Sequence, residues 1–230
     1  DELMIKYLED NTWAEGYLIG ISGGIDSAVT AALLKMAVLD LNKRVLAVLT
    51  PYHSQKINNM LEVVHALNLE YCIRDIGEII DFSVKSFNRN ATRLQIGNRM
   101  ARQRMIEWYD IASAEKLIVV GTDNATESII GYYTKYGDSG VDINPIKTLD
   151  KRQIIRLAKY DWPFGKIPES VIAREPSGDL WEGQTDEGEI GMSYDIICDY
   201  LEGKEVEKEY VEKIEQMYYK SMHKRFIPFI

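Results

Sequence analysis

Residues 16–27 read Gly-Tyr-Leu-Ile-Gly-Ile-Ser-Gly-Gly-Ile-Asp-Ser, an apolar run that turns through Ser22-Gly23-Gly24-Ile25-Asp26-Ser27 into a stretch of helical spacing. A short, near-continuous apolar segment is how a strand looks when helices cover both its faces. The glycines let the backbone approach a phosphate closely, and a helix start aims free N–H groups at it. The hydroxyls of Ser22 and Ser27 add donors, and Asp26 is placed to hold Mg²⁺ against a polyphosphate. No Gly-Lys-Ser/Thr follows, so this is not a Walker A loop, and the GxGxxG of a dinucleotide fold is missing too. The competing reading is a plain glycine-rich turn capped by Ser or Asp.

Three further apolar runs follow, at Arg44–Thr50, Glu70–Ile76 and Lys116–Thr122. Between them, Ser27–Leu41, Lys56–Leu67 and Gly77–Ser113 carry apolar residues at helical spacing. Strand–helix–strand alternation implies right-handed βαβ units, hence an α/β fold with a Rossmann-like, doubly wound parallel sheet. Ligands on such sheets sit at the carboxyl ends of the strands, here Ser22–Ser27, Thr50–Ser54 and Thr122–Glu127. Beyond residue 130 the pattern changes. Gly131–Pro145 reads as an ordered loop, Leu149–Tyr160 as a helix with an Asp150/Gln153 capping box, and residues 161–187 as mostly loop. Glu189–Leu201 and Lys204–Met222 close the chain as C-terminal helices. The expectation is one domain over 1–230, with 173–187 a mobile lid.

Lys+Arg 27 against Asp+Glu 36 gives a net charge of −9. That balance argues against non-specific nucleic-acid binding and against a basic membrane-surface role, since both need clustered cations. No apolar run approaches the ~18 residues of a membrane span. Cys72 and Cys198 lie far apart with no metal-ligand spacing, which favours free thiols and a cytoplasmic setting. The chain starts at Asp1 and its first helix reads as shortened, so native residues are expected to precede it.

Three more strings stand with the glycine loop: Gly121-Thr122-Asp123-Asn124-Ala125-Thr126-Glu127 leading into Gly131–Pro145 (GYYTKYGDSGVDINP), then Pro176-Ser177-Gly178-Asp179-Leu180-Trp181 followed by Gly183–Glu187, and last His223-Lys224-Arg225. The loop by itself resembles the phosphate loop of the ATP pyrophosphatase (PP-loop) superfamily. In this order and spacing, over about residues 16–226, the set resembles the ammonia-dependent NAD synthetases, which amidate deamido-NAD⁺ with ATP and ammonia. The resemblance implies an adenine nucleotide alpha hydrolase-like fold and a role for each matching position. Gly20, Ile21, Ser22, Gly23, Gly24, Ile25, Asp26 and Ser27 would wrap the ATP phosphates, with Thr122, Lys151 and Ser177 also on ATP. Asp26 and Glu127 would ligate Mg²⁺. Arg102, Lys135, Asp142, His223 and Lys224 would contact deamido-NAD⁺, at the interface of a homodimer. A glutamine-dependent synthetase adds an amidase domain for which this chain has no room, so ammonia is expected as the direct nitrogen donor.

Blander roles compete at several of these positions. Glu127 lies three residues after Asn124 and also suits a capping box. Arg99, Arg102 and Arg104 suit a solvated helix face, His223 and Lys224 suit a helix C-terminus, and Asp138 and Asp142 suit turns. Trp13, Trp108 and Trp162 read as packing. The family often has His at Asn124 and Gly at Ser139, and the stretch after Thr50 enters a helix early, where an adenine-side loop belongs.

The chemistry explains the residue types. Attack of a carboxylate on the α-phosphorus of ATP joins two anions, so charge must be neutralised by Mg²⁺, Lys151 and loop N–H groups. Ammonia must then displace AMP, although ammonium predominates at neutral pH. Asp138, in the Tyr136-Gly137-Asp138 loop, is the candidate to bind ammonium and take its proton. Another PP-loop ligase (a tRNA thiolase or a GMP-synthetase-like subunit) and a non-catalytic ATP-binding sensor remain the alternatives. Joint presence of Asp26, Glu127, Lys151 and Ser177 favours catalysis, because sensing needs neither a metal pair nor a lid.

Overall fold

The four apolar runs form four parallel strands in a computed structural model that describes residues 2–53, 55, 57–87, 90–177, 183 and 185–225. They are β1 (Gly16–Gly20), β2 (Arg44–Leu49), β3 (Glu70–Ile73) and β4 (Leu117–Val120), in the spatial order β3-β2-β1-β4. Tyr17 pairs with Val45 on one side and Ile118 on the other, and Leu46 pairs with Glu70. The chain thus winds outward from β1 to β3 and returns past it to β4. The switch point between β1 and β4 opens a crevice at their carboxyl ends.

Alternation along β1 divides the core. Tyr17 and Ile19 pack with Val45, Ala47, Leu49, Ile118 and Val120 under α2 (Ile25–Ala37), α3 (Ile57–Ala66) and α7 (Lys151–Ala158). Leu18 packs with Leu46, Val48 and Val119 on the other face, against Ile111 and Ala112 of α5 (Arg93–Glu115). Burying each such side chain contributes roughly 1.5–3 kcal/mol. Tyr17 keeps its polar tip satisfied by donating to the Met4 carbonyl of α1 (Glu2–Asp10) at 2.6 Å. A separate cluster of Ile130, Ile190, Met192, Tyr194, Ile197 and Ile214 joins α6 (Ala125–Ile130) to α9 (Asp186–Ile190), α10 (Tyr194–Leu201) and α11 (Lys208–Lys220).

Three expected elements divide. Gly77–Ser113 is two helices, α4 (Gly77–Phe87) and α5, because Thr92 and Gln95 form a capping box that starts the second. Glu189–Leu201 is broken where Gly191 ends α9 in the left-handed region (φ 71°) and the Ser193 side chain caps α10. Apolar periodicity continues across that gap, which is why spacing alone hides it. Lys204–Met222 becomes α11 and α12 (Met222–Arg225), parted at Ser221, whose hydroxyl bonds back to the Met217 and Tyr218 carbonyls. Of 161–187, α8 (Glu169–Ile172) is helical, and Asp186 and Glu187 open α9. Among the described residues no helix is long and apolar enough to cross a membrane.

Candidate active site

β1 ends at Gly20, whose Cα faces the Trp108 ring so closely that a Cβ would lie 2.3 Å from it. Trp108 is therefore the wall behind the loop. Three residues on, Gly23 takes φ +84°, and a Cβ there would fall 2.8 Å from the Asn59 side chain and 2.9 Å from its backbone. Only glycine fits both constraints. The serine hydroxyls hold the turn: Ser22 Oγ accepts from the Gly24 N–H at 3.1 Å, and Ser27 Oγ donates to the Gly24 carbonyl at 3.0 Å. Gly24 caps α2 without a side chain, so the first-turn N–H groups of a 13-residue helix face the crevice with no side-chain cap of their own.

The next feature is a buried lysine between two carboxylates. Asp26 comes from the first turn of α2, Glu127 from α6 and Lys151 from the start of α7. Lys151 Nζ lies 2.6 Å from Asp26 Oδ2 and 3.8 Å from Glu127 Oε1. Asn124 donates its side-chain N–H to Asp26 Oδ1 at 2.9 Å. Glu127 Oε2 closes the capping box with Asn124, while its Oε1 faces the lysine. Thr126 Oγ1 accepts the Lys151 backbone N–H at 3.0 Å, which ties the start of α7 to α6.

Electrostatics follow from that burial. Desolvation works against the Lys151 charge, but Asp26 and Glu127 outweigh it and its pKa is raised. Burial and the Asp26 charge push Glu127 well above the carboxylate range despite Lys151. Two carboxylates against one ammonium leave an anionic excess. Mg²⁺ is bound through one or two carboxylates, its shell completed by substrate phosphates and water. Asp26 and Glu127, beside a phosphate-shaped loop, fit that donor set. Among the described residues there is no group of three or more His, Cys, Asp or Glu side chains suited to a metal.

The residues expected on the second substrate mostly converge. Arg102 Nε donates to the Lys135 carbonyl at 3.3 Å, Lys135 Nζ to the His223 carbonyl at 2.5 Å, and Lys224 Nζ to the Gly131 and Tyr133 carbonyls at 2.7 and 2.6 Å. Asp142 is different. Its two oxygens accept from Tyr109 Oη at 2.9 Å and the Val119 N–H at 2.8 Å, so its carboxylate braces the edge of β4. Asp138 accepts from the Thr134 N–H at 2.8 Å, and burial raises its pKa against the opposing charges of Lys224 and Arg104.

Thr122 follows β4 into the same crevice, and Ser177 stands at the edge of the described part of 173–187; residues 178–182 and 184 of that segment and its Gly-Asp-Leu-Trp motif lie outside the described residues. The segment is tied at both ends: Arg174 donates to the Gly23 carbonyl and pairs with Glu62 at 3.4 Å, while the Asp186 N–H bonds the Pro176 carbonyl at 3.0 Å.

Several participants were not marked in the sequence. Arg104, offered there as part of a solvated face, is turned inward and donates to the Thr50 carbonyl at 3.1 Å. The signal was present, because Arg104 continues the inward row Gly97, Met100/Ala101, Trp108, Ile111/Ala112 of α5. Tyr194, whose ring lies 5.2 Å from Lys151 Nζ and whose hydroxyl donates to Asp186, carried no motif. Asp123, 7% exposed, lay inside a quoted string without a role.

Comparison with known proteins agrees with this geometry. The family model of NAD synthase matches residues 2–228. The chain is 41% identical to an NH₃-dependent NAD⁺ synthetase of Alkaliphilus oremlandii over 95% of this chain and 89% of that one. In structure it matches an NMN synthetase from Francisella tularensis with TM-score 0.88 at 35% identity, covering 100% of this chain and 95% of that one. It matches an NH₃-dependent NAD synthetase from Campylobacter jejuni with TM-score 0.77 at 30% identity, covering 100% and 94%.

Proposed function

The chain belongs to the NAD synthase family and makes NAD⁺ from deamido-NAD⁺ with ATP and ammonia, and from that premise we propose how its own residues divide the reaction. One observation carries the reading: Lys151 bridges Asp26, in the first turn of α2, and Glu127 of α6 at the switch point of the sheet. Gly20–Ser27 with the α2 N-terminus receives the ATP phosphates, and Thr122, Lys151 and Ser177 complete the ATP contacts. Lys151 neutralises charge as the nicotinate carboxylate meets the α-phosphorus. Asp26 and Glu127 are the residues that would hold Mg²⁺, which when bound offsets phosphate charge. No protein nucleophile is needed, since positioning of two bound substrates supplies much of the barrier reduction.

Arg102, Lys135, His223 and Lys224 face the dinucleotide, and their linked contacts support a shared binding surface. Asp142 is the fifth contact to the dinucleotide, its carboxylate held in place by Tyr109 and the Val119 N–H. In this reading the dinucleotide site lies at the interface of a homodimer. Asp138 binds ammonium beside the acyl carbon. Residues 173–187 act as a lid that keeps water from the adenylate, a reading supported by Arg174 reaching the phosphate loop. A cytoplasmic setting is supported by the free thiols Cys72 and Cys198.

A second acceptor has one observation in its favour, the match to an NMN synthetase. Nicotinic acid mononucleotide presents the same carboxylate without the adenylyl half, so both acceptors belong in the test. Purified protein with ATP·Mg²⁺ is expected to release pyrophosphate only when deamido-NAD⁺ is added, and NAD⁺ only after ammonium. Preferential release with the mononucleotide would move the substrate assignment, and release with neither would remove it. If Asp138→Asn kept the full second-step rate at limiting ammonium and neutral pH, the ammonium role of Asp138 would be lost.

A further inference from the structure

In the string His223-Lys224-Arg225 the first two residues are assigned to the dinucleotide, and Arg225 is left over. Its guanidinium carries five N–H donors, and the fold uses all of them. Nε donates to the Ser128 carbonyl at 3.2 Å, and Nη2 to the Ser128 and Ile129 carbonyls at 2.5 and 2.8 Å. Nη1 turns the other way and donates to the Tyr218 carbonyl at 3.1 Å and to Ser221 Oγ at 3.0 Å. The Tyr218 ring lies 4.5 Å from the guanidinium carbon, within cation–π reach. Every acceptor is an uncharged oxygen of this chain, so Arg225 keeps no donor for a substrate phosphate.

Those acceptors place Arg225 at a junction. Ser128 and Ile129 belong to the last turn of α6, where helix carbonyls lack intrahelical partners and side-chain donors satisfy them. Tyr218 and Ser221 lie at the end of α11. α12 (Met222–Arg225) has no buried residue, so apolar packing does not hold it. Polar bonds do: those of Arg225, those of Lys224 Nζ to the Gly131 and Tyr133 carbonyls, and that of Lys135 Nζ to the His223 carbonyl. Gly131 permits the close approach, because a Cβ there would lie 2.2 Å from Ser221 Cβ. α6 is anchored independently. Ile130 is in the core cluster, Asn124 bonds Asp26, and Thr126 bonds the Lys151 backbone. Removing Arg225 therefore loosens α12 and leaves the Asp26–Lys151–Glu127 cluster in place.

We propose that Arg225 is a positioning residue: it clamps α12 between the ends of α6 and α11, and so sets where His223 and Lys224 meet the dinucleotide without touching it. This rests on the reading of His223 and Lys224 given above. The role is geometric, since a planar fork can bond two elements at once, whereas a lysine ammonium is a point charge.

The test separates the two substrates. In Arg225→Ala, KM for deamido-NAD⁺ should rise about tenfold or more, the size expected for misplacing one charged hydrogen bond. KM for ATP and the saturated kcat should stay within about twofold. Arg225→Lys keeps the charge and loses the fork, so its KM for deamido-NAD⁺ should also rise, by at least about threefold. A wild-type KM in Arg225→Lys would mean that the charge alone matters, and overturns the proposal. An unchanged KM for deamido-NAD⁺ in Arg225→Ala, or equal rises in both KM values, overturns it too. If Arg225→Ala does not fold, Arg225→Lys is read by the same split. Lys224→Met tells the two failures apart. An unchanged KM for deamido-NAD⁺ there removes the reading of Lys224 and the proposal with it. A rise there without one in Arg225→Ala removes the proposal alone.

Discussion

Lys151 and Asp26, 125 positions apart in sequence, meet at 2.6 Å in a site where the lysine is 5% exposed. Removing one partner of a buried pair leaves an uncompensated charge, at a cost of about 3–5 kcal/mol. Lys151→Met should therefore lower the melting temperature and cut pyrophosphate release by about a hundredfold or more, the size expected for losing a charge that stabilises the transition state. Near-wild-type release would refute the role given to the lysine.

The same variant has a signed pH dependence. With the lysine gone, Asp26 and Glu127 face each other unopposed, so Glu127, already raised by burial and by Asp26, rises further. A carboxyl whose folded pKa is raised gives stability that is present below its unfolded value and lost as pH climbs through the folded one. Thermal unfolding of Lys151→Met should therefore lie nearest to wild type in acid and fall away toward neutral pH. A constant gap across pH would contradict this.

Asp123 obeys the same sign. Burial puts its pKa at about 7 in the fold against an ordinary value of 3.8, so its contribution to stability declines between those two pH values. Asp123→Asn should raise the melting temperature more at pH 8 than at pH 4. An equal change at both would mean that Asp123 keeps an ordinary pKa.

Gly23→Ala tests the backbone of the loop. At φ +84° an L-residue costs about 1–2 kcal/mol, and the contact with Asn59 adds to it. The protein should still fold, with KM for ATP raised several-fold. A wild-type KM would show that the loop tolerates a Cβ.

Residues 173–187 should be cut by protease in the free protein and protected by ATP with deamido-NAD⁺. Arg174→Ala, which frees the segment from Gly23 and Glu62, should speed cleavage of the free form. Equal cleavage with and without ligands would remove the lid.

Much of this was legible in the sequence for physical reasons. Val/Ile/Leu runs such as Arg44–Leu49 announce strands covered on both faces, and the Asp150/Gln153 box marked the start of α7 within one residue of Lys151. Local chemistry can be read locally. The division at Gly191–Ser193 was less visible because apolar spacing carries through it, although the glycine and serine are the cap residues a closer reading would use. Least legible were roles set by tertiary neighbours. The bonds of Asp142 to Tyr109 and Val119 are invisible in the string, since those partners reach it only once α5 lies on the sheet. The burial of Asp123 is likewise a property of its surroundings.

The crevice between β1 and β4 has a consequence for how the enzyme comes into being. Asp26 meets Asn124 across 98 residues and Lys151 across 125, so no short contiguous fragment contains the site. Such long loops must close before their contacts repay the lost entropy, which places completion of the crevice late in folding. A nascent chain has its phosphate loop long before it has the lysine that answers it. A ligand stabilises only what it binds, so one that needs the whole crevice would stabilise only molecules in which β4 has already docked.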